Sequence, residues 1–165
     1  MRQLWAPWRM AYLQSDKEAE GGGCLFCHKI QADDAAEQIL YRGEHCYITL
    51  NRYPYNTGHL LIVPYRHVDR LDALDEVSAA ELVLLTQAAL RVLEVVYHPQ
   101  GFNMGINQGR AAGAGVAEHL HLHVVPRWSG DANYMTTIAE TRVMPETLVQ
   151  TYERLLPHFR KLRDA

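Results

Sequence analysis

The sequence lacks a dominant charge. Its 165 residues carry 16 Lys and Arg against 19 Asp and Glu, a formal net charge of −3. A broad surface for nucleic acid or anionic membrane needs a strong basic excess, so neither partner is expected. Long apolar runs are lacking too. No stretch approaches the roughly 20 residues of a membrane span. The opening MRQLWAPWRM has neither the apolar core nor the small-residue cleavage site of a secretory signal, so a cytoplasmic, reducing location is expected. Cysteine is sparse, with three residues, which in such a compartment argues against a disulfide framework. Repeats and low-complexity tracts are also missing, and this sets aside solenoids and fibrous arrays.

What remains is the length of one domain, with 48% hydrophobic residues and an unusual nine histidines. Imidazole is the side chain suited to metals, proton transfer and phosphoryl groups near neutral pH. The triple glycine Gly21–Gly23 predicts a flexible joint, and residues 31–38 a short helix. Cys46–Leu50 and Leu60–Val63 have strand composition. The Pro, Asn and Gly between them predict a turn and an antiparallel pair. Ser78 and Glu81 read as a capping box, opening a helix that carries Leu82, Leu85, Ala89, Val92, Leu93 and Val96 on one face. His98-Pro99 ends it. Phe102–Ile106 and His119–Val125 read as further strands, joined by a Gly/Ala-rich loop at 108–115. A last helix is predicted from Pro145, with Leu148, Tyr152, Leu155, Phe159 and Leu162 along one side and Pro157 breaking or kinking it. The expected fold class is α+β, a mainly antiparallel sheet with flanking helices.

The segment His119-Leu-His121-Leu-His123-Val-Val carries the most information. Side chains alternate faces along a strand, so the three histidines share one face and the leucines the other. Clustered imidazoles are poor core material without partners. Two chemistries suit such a face: a catalytic metal held by imidazoles, or an imidazole nucleophile whose neighbours bind the anion it attacks. A surface stripe of hydrogen-bonded histidines is the bland alternative. The preceding loop, Gly109-Arg-Ala-Ala-Gly-Ala-Gly115, presents backbone N–H groups closely enough for a phosphate, which favours the second chemistry.

This segment matches the signature of the histidine-triad (HIT) superfamily, and the chain resembles that family over residues 24–128. Asn51-Arg52, Gly58-His59 and Asn107-Gln108-Gly109 agree in order. The opening Leu4–Arg9 and the stretch Val125–Tyr134 resemble the prokaryotic diadenosine-tetraphosphate phosphorylase branch, near the fragile-histidine-triad proteins. The resemblance implies a HIT-like fold, a homodimer, and a chain divided into an N-terminal segment (1–23), the HIT domain (24–128) and a C-terminal extension with a helix (129–165). It implies that His121 is a nucleophile attacking the α-phosphorus of an adenosine polyphosphate, with His119 and His123 beside it. Asn51, His59, Asn107, Gln108, Gly113, Gly115 and Val116 would line the substrate pocket. Inorganic phosphate as second acceptor would make a phosphorylase (ATP adenylyltransferase), and water a hydrolase. A purine-nucleoside phosphoramidase and a nucleotide-binding sensor are the other readings.

Cys24-x-x-Cys27 has metal-ligand spacing but needs two more ligands; two unrelated thiols are the plainer reading. In HIT branches with this pair, a histidine after the second sheet strand and the first triad histidine complete a structural zinc site. Here these are His67 and His119, with His28 as a fallback. Cys46 reads as a buried apolar residue. Trp5, Trp8 and Tyr12 are weak candidates for stacking on an adenine or covering a partner subunit, and Trp128 for nucleotide contact, with packing an equal account of each. Arg52 and Arg127 are weak candidates for phosphate contact, against the plain reading of surface arginines.

Overall fold

The computed structural model describes residues 23–131 and 144–162. Trp5, Trp8, Tyr12 and the segment around Asn133 lie outside the described residues. Among those described, no helix is long and apolar enough to cross a membrane.

Five strands form one sheet: β1 (Ile39–Arg42), β2 (Cys46–Leu50), β3 (Leu60–Pro64), β4 (Gly101–Ile106) and β5 (Leu122–Arg127). Their order is β1-β2-β3-β5-β4, and every neighbouring pair is antiparallel. Alternation along the strands sorts the side chains to two faces. Cys46, Ile48, Leu50, Leu60, Ile62 and Val124 face one way, into a core closed by Leu82, Leu85, Ala89 and Leu93 of helix α3 (Glu76–Tyr97) and by Tyr152, Leu155 and Phe159 of α4 (Leu148–Lys161). Tyr47, Leu61 and Val63 face the other way and meet Phe26 of α1 (Leu25–Gln31). Thr49 shares that second face, and its Oγ1 accepts a hydrogen bond from the buried Lys29 of α1 (3.1 Å). A one-turn helix α2 (Asp34–Glu37) leads into β1. The sheet is thus backed by two long helices on one side and capped by the cysteine-bearing segment on the other.

Several sequence expectations need correction. The predicted helix over 31–38 is replaced by α1 and α2, and α2 is capped by Asp33, which accepts from the Ala35 and Ala36 amides. β1 has only four residues and a bulge, too little pattern to mark a strand. α3 begins at Glu76, with Asp75 as its N-cap accepting from the Ser78 amide. The Ser78 hydroxyl also donates to Asp75 (3.0 Å), so Ser78 and Glu81 do not form a capping box. Glu81 instead takes the amides of Glu44 and Cys46 (2.8 Å each), and that of His45, fastening the β1–β2 turn to α3. Gly43 fits there because a Cβ would collide with the Glu81 carboxylate. α4 starts at Leu148, under a Thr147–Gln150 capping box, and runs through Pro157 without breaking. In the final turns of a helix, proline forfeits one backbone bond while Leu155 and Phe159 stay fully buried on either side.

Candidate active site and metal centre

β5 begins at Leu122, so His119 and His121 precede the strand rather than lie on it. Their backbone is held locally: the Leu120 amide donates to Val68 O (2.6 Å), and His121 Nδ1 lies 2.9 Å from the carbonyl of His119. His121 and His123 nonetheless come together. The rings of His121 and His123 are 4.8 Å apart, edge to face.

Each proton can be placed from its partners. His121 Nδ1 faces a carbonyl, which only accepts, so Nδ1 carries the proton and Nε2 keeps its lone pair. Burial pushes the His121 pKa down, so the ring is neutral. The Tyr55 backbone amide donates to His59 Nδ1 (2.9 Å). His59 Nε2 then holds the proton and donates to His123 Nδ1 (2.9 Å). The proton of His123 therefore sits on Nε2, which is buried without a hydrogen-bond partner among the described residues. Burial, then the neighbouring His121, lowers the His123 pKa to about 4. One ring offers an electron pair and its neighbour an unused N–H, the combination needed to attack a phosphorus while binding its oxygen.

Of the other predicted pocket residues, His59 bonds directly to this pair. Asn51 Nδ2 lies 3.4 Å from both ring nitrogens of His59, and its Oδ1 accepts the Tyr53 amide (3.0 Å). Asn107 follows the last β4–β5 pair, Ile106 with Leu122, and so comes level with His121. Gln108 is exposed, and its Oε1 takes the Leu71 amide (3.0 Å). Gly113 has φ +88°, a left-handed conformation suited to glycine, at the end of the loop's short 3-10 turn. Val116 packs on the Phe26–Tyr47 cluster, and Gly115 is exposed. Sequence reasoning missed Tyr55, which acts through its backbone amide. It also missed Phe26, which no motif marks.

The first triad histidine faces elsewhere. His119 Nε2 donates to Pro64 O (2.9 Å), which leaves Nδ1 unprotonated and 3.1 Å from Cys24 Sγ and 3.6 Å from Cys27 Sγ. His67 Nδ1 lies 3.4 Å from Cys27 Sγ. The ligand atoms of Cys24, Cys27, His67 and His119 all lie within 4.8 Å of one another. A tetrahedral zinc with ordinary Zn–S and Zn–N bonds has ligand–ligand edges of about 3.3–3.8 Å, so the donor set fits. Burial raises the Cys24 thiol to about 11, which a bound cation would offset. His28, the fallback ligand, is not part of this group.

Fold and site together define a class: α+β proteins in which a neutral imidazole with a free Nε2 lone pair stands at the start of a strand of an antiparallel sheet, beside a second histidine. Comparison with known proteins agrees. The model of the HIT domain family matches residues 32–130, and the chain belongs to this family. It is 44% identical over 162 residues to the AP-4-A phosphorylase of Mycobacterium tuberculosis, covering 94% of this chain and 83% of that protein. Among solved structures it resembles a Zn-bound histidine triad family protein from Mycobacterium smegmatis (TM-score 0.68, 27% identity, 86% of this chain and 96% of that one). A HIT family protein from Bacillus anthracis shares the fold (TM-score 0.60, 24% identity, 86% and 96% covered). Cys24 and Cys27 precede the matched family region.

Proposed function

We propose that the chain is a diadenosine-tetraphosphate phosphorylase working through a covalent nucleotidyl-His121 intermediate. The observation that carries this reading is the His121 Nδ1–H···O=C bond to His119, which reserves Nε2 as the nucleophile. His121 Nε2 attacks the α-phosphorus in line with the bridging oxygen. The P–N bond forms as the P–O bond breaks, and ATP leaves. Inorganic phosphate then attacks the same phosphorus, the P–N bond breaks, and ADP is released with His121 neutral again. Two in-line steps replace one difficult displacement. The buried Nε2–H of His123 donates to a non-bridging oxygen, where charge builds in each transition state. Asn107 and the backbone at Gly113, Gly115 and Val116 complete the phosphate side, and Asn51 and His59 the nucleoside side. Support for this substrate comes from the 44% identity to an AP-4-A phosphorylase.

Cys24, Cys27, His67 and His119 would hold a structural zinc, whose chemistry is to fix ligand positions rather than to react. A homodimer completes the proposal, with a second copy at β4, the sheet edge on which Asn103 and Met104 are exposed.

The test is product analysis. Diadenosine tetraphosphate incubated with the protein gives ATP plus ADP only when phosphate is present. ATP plus AMP without phosphate would make the protein a hydrolase, and tight binding without turnover a sensor.

A further inference from the structure

The hydrogen bond to His119 O pins only one atom of the nucleophile's ring. An imidazole tethered at Nδ1 still swings about its side-chain bonds, and attack tolerates little misplacement. The ring has a second neighbour that the mechanism has not used. Phe26, between the two cysteines of Cys24-Leu-Phe-Cys27, lies 4.9 Å from the His121 ring at an interplanar angle of 48°. The same phenyl ring meets His119 edge to face at 5.4 Å. Phe26 is 3% exposed and packs with Ile39, Tyr47, Leu61 and Val63. Its backbone is held too, because the Tyr47 hydroxyl donates to Phe26 O (3.2 Å). A stiff side chain, fixed at its base and along its length, thus touches both the proposed metal ligand and the proposed nucleophile.

We infer that Phe26 is a positioning residue for the reaction, wedging the His121 ring so that Nε2 stays aimed at the phosphorus and Nδ1 stays on the His119 carbonyl. This rests on the reading of His121 as nucleophile. Phe26, a hydrocarbon ring, supplies no atom that bonds to phosphorus. It gives the cysteine segment a second task besides holding metal: it carries the ring that fixes the catalytic histidine.

The test compares zinc-loaded wild type with Phe26→Leu, Phe26→Met and, as control, Val63→Ala. Val63 belongs to the same apolar cluster and has no ring contact with His121. The first readout needs no substrate: nitrogen–proton correlation spectra of the histidine side chains report the His121 tautomer. The second is steady-state turnover of diadenosine tetraphosphate with phosphate. In Phe26→Leu, the single Nδ1–H tautomer should give way to an exchanging mixture. The kcat should fall about tenfold or more, with KM within about twofold. Zinc should stay at one per chain, and Val63→Ala should match wild type in tautomer and kcat. Phe26→Met serves if Phe26→Leu does not fold. Wild-type tautomer and kcat in the Phe26 variants would overturn the inference. So would loss of zinc from them, or an equal loss of kcat in Val63→Ala. If wild type itself cleaves no nucleotide, the functional reading fails, and the tautomer spectra alone decide the role of Phe26.

Discussion

His121 and His123 stand two residues apart and hold their protons on opposite nitrogens. His121 carries its proton on Nδ1 because the carbonyl of His119 accepts there. His123 carries it on Nε2 because His59 donates to its Nδ1. Burial, followed by the neighbouring His121, lowers the folded His123 pKa to about 4, against roughly 6.5 in an unfolded chain. The sign for stability follows. Between these values the unfolded chain binds more proton at this residue, so stability falls as the solution is acidified from about 6.5 to about 4 and levels off below. Thermal melts across this window should show wild type losing more melting temperature than His123→Asn does. Parallel curves would mean that His123 titrates normally in the folded protein. The sequence placed all three histidines on one face of a strand; only His121 and His123 come together, and His119 turns to the cysteines. The sequence did not show the tautomers, because the atoms that set them (Pro64 O, the Tyr55 amide, His59) lie far along the chain or belong to the backbone.

At the level of elements, the Cys24–Cys27 segment and the segment leading into β5 meet through Cys24 and Cys27 against His119 and through Phe26 against His119 and His121. Closing that contact around a metal joins two segments about 95 residues apart, as the Cys24–His119 pair is. A metal that binds the folded chain alone stabilises it by mass action. Metal analysis should therefore find one zinc per chain in freshly purified protein and none in Cys24→Ser/Cys27→Ser. That variant should melt at lower temperature and lose turnover while His121 remains. A metal-free wild type, or a variant with unchanged melting and rate, would contradict this. The cysteine spacing alone left the set incomplete, and only the family resemblance named His67 and His119. Other elements were legible where periodicity was long: α3 keeps the face read from Leu82 to Val96, and β2 and β3 pair as expected. Their ends were not legible. Asp75 outcompetes Ser78 as cap because Glu81 is engaged by the amides of the β1–β2 turn, a partner distant in sequence.

Across the whole molecule, the near-neutral charge fits a single small anion pocket rather than a polyanion-binding surface. The α+β architecture was legible because β2 and β3 have strand composition on either side of a turn and two helices carry apolar residues at helical spacing. The arrangement that matters for function comes from both sides of the sheet. α3 and α4 fix the sheet from behind, while α1 brings cysteines and Phe26 to the histidine side. The central claim is that His121 becomes covalently nucleotidylated. The most direct measurement is intact-protein mass spectrometry after an alkaline quench, with diadenosine tetraphosphate supplied and phosphate withheld. Wild type should gain the mass of one adenylyl group, mapped by fragmentation to His121 and discharged as ADP once phosphate is added. The absence of any adduct in a protein that turns over, or an adduct persisting in His121→Asn, would contradict the account.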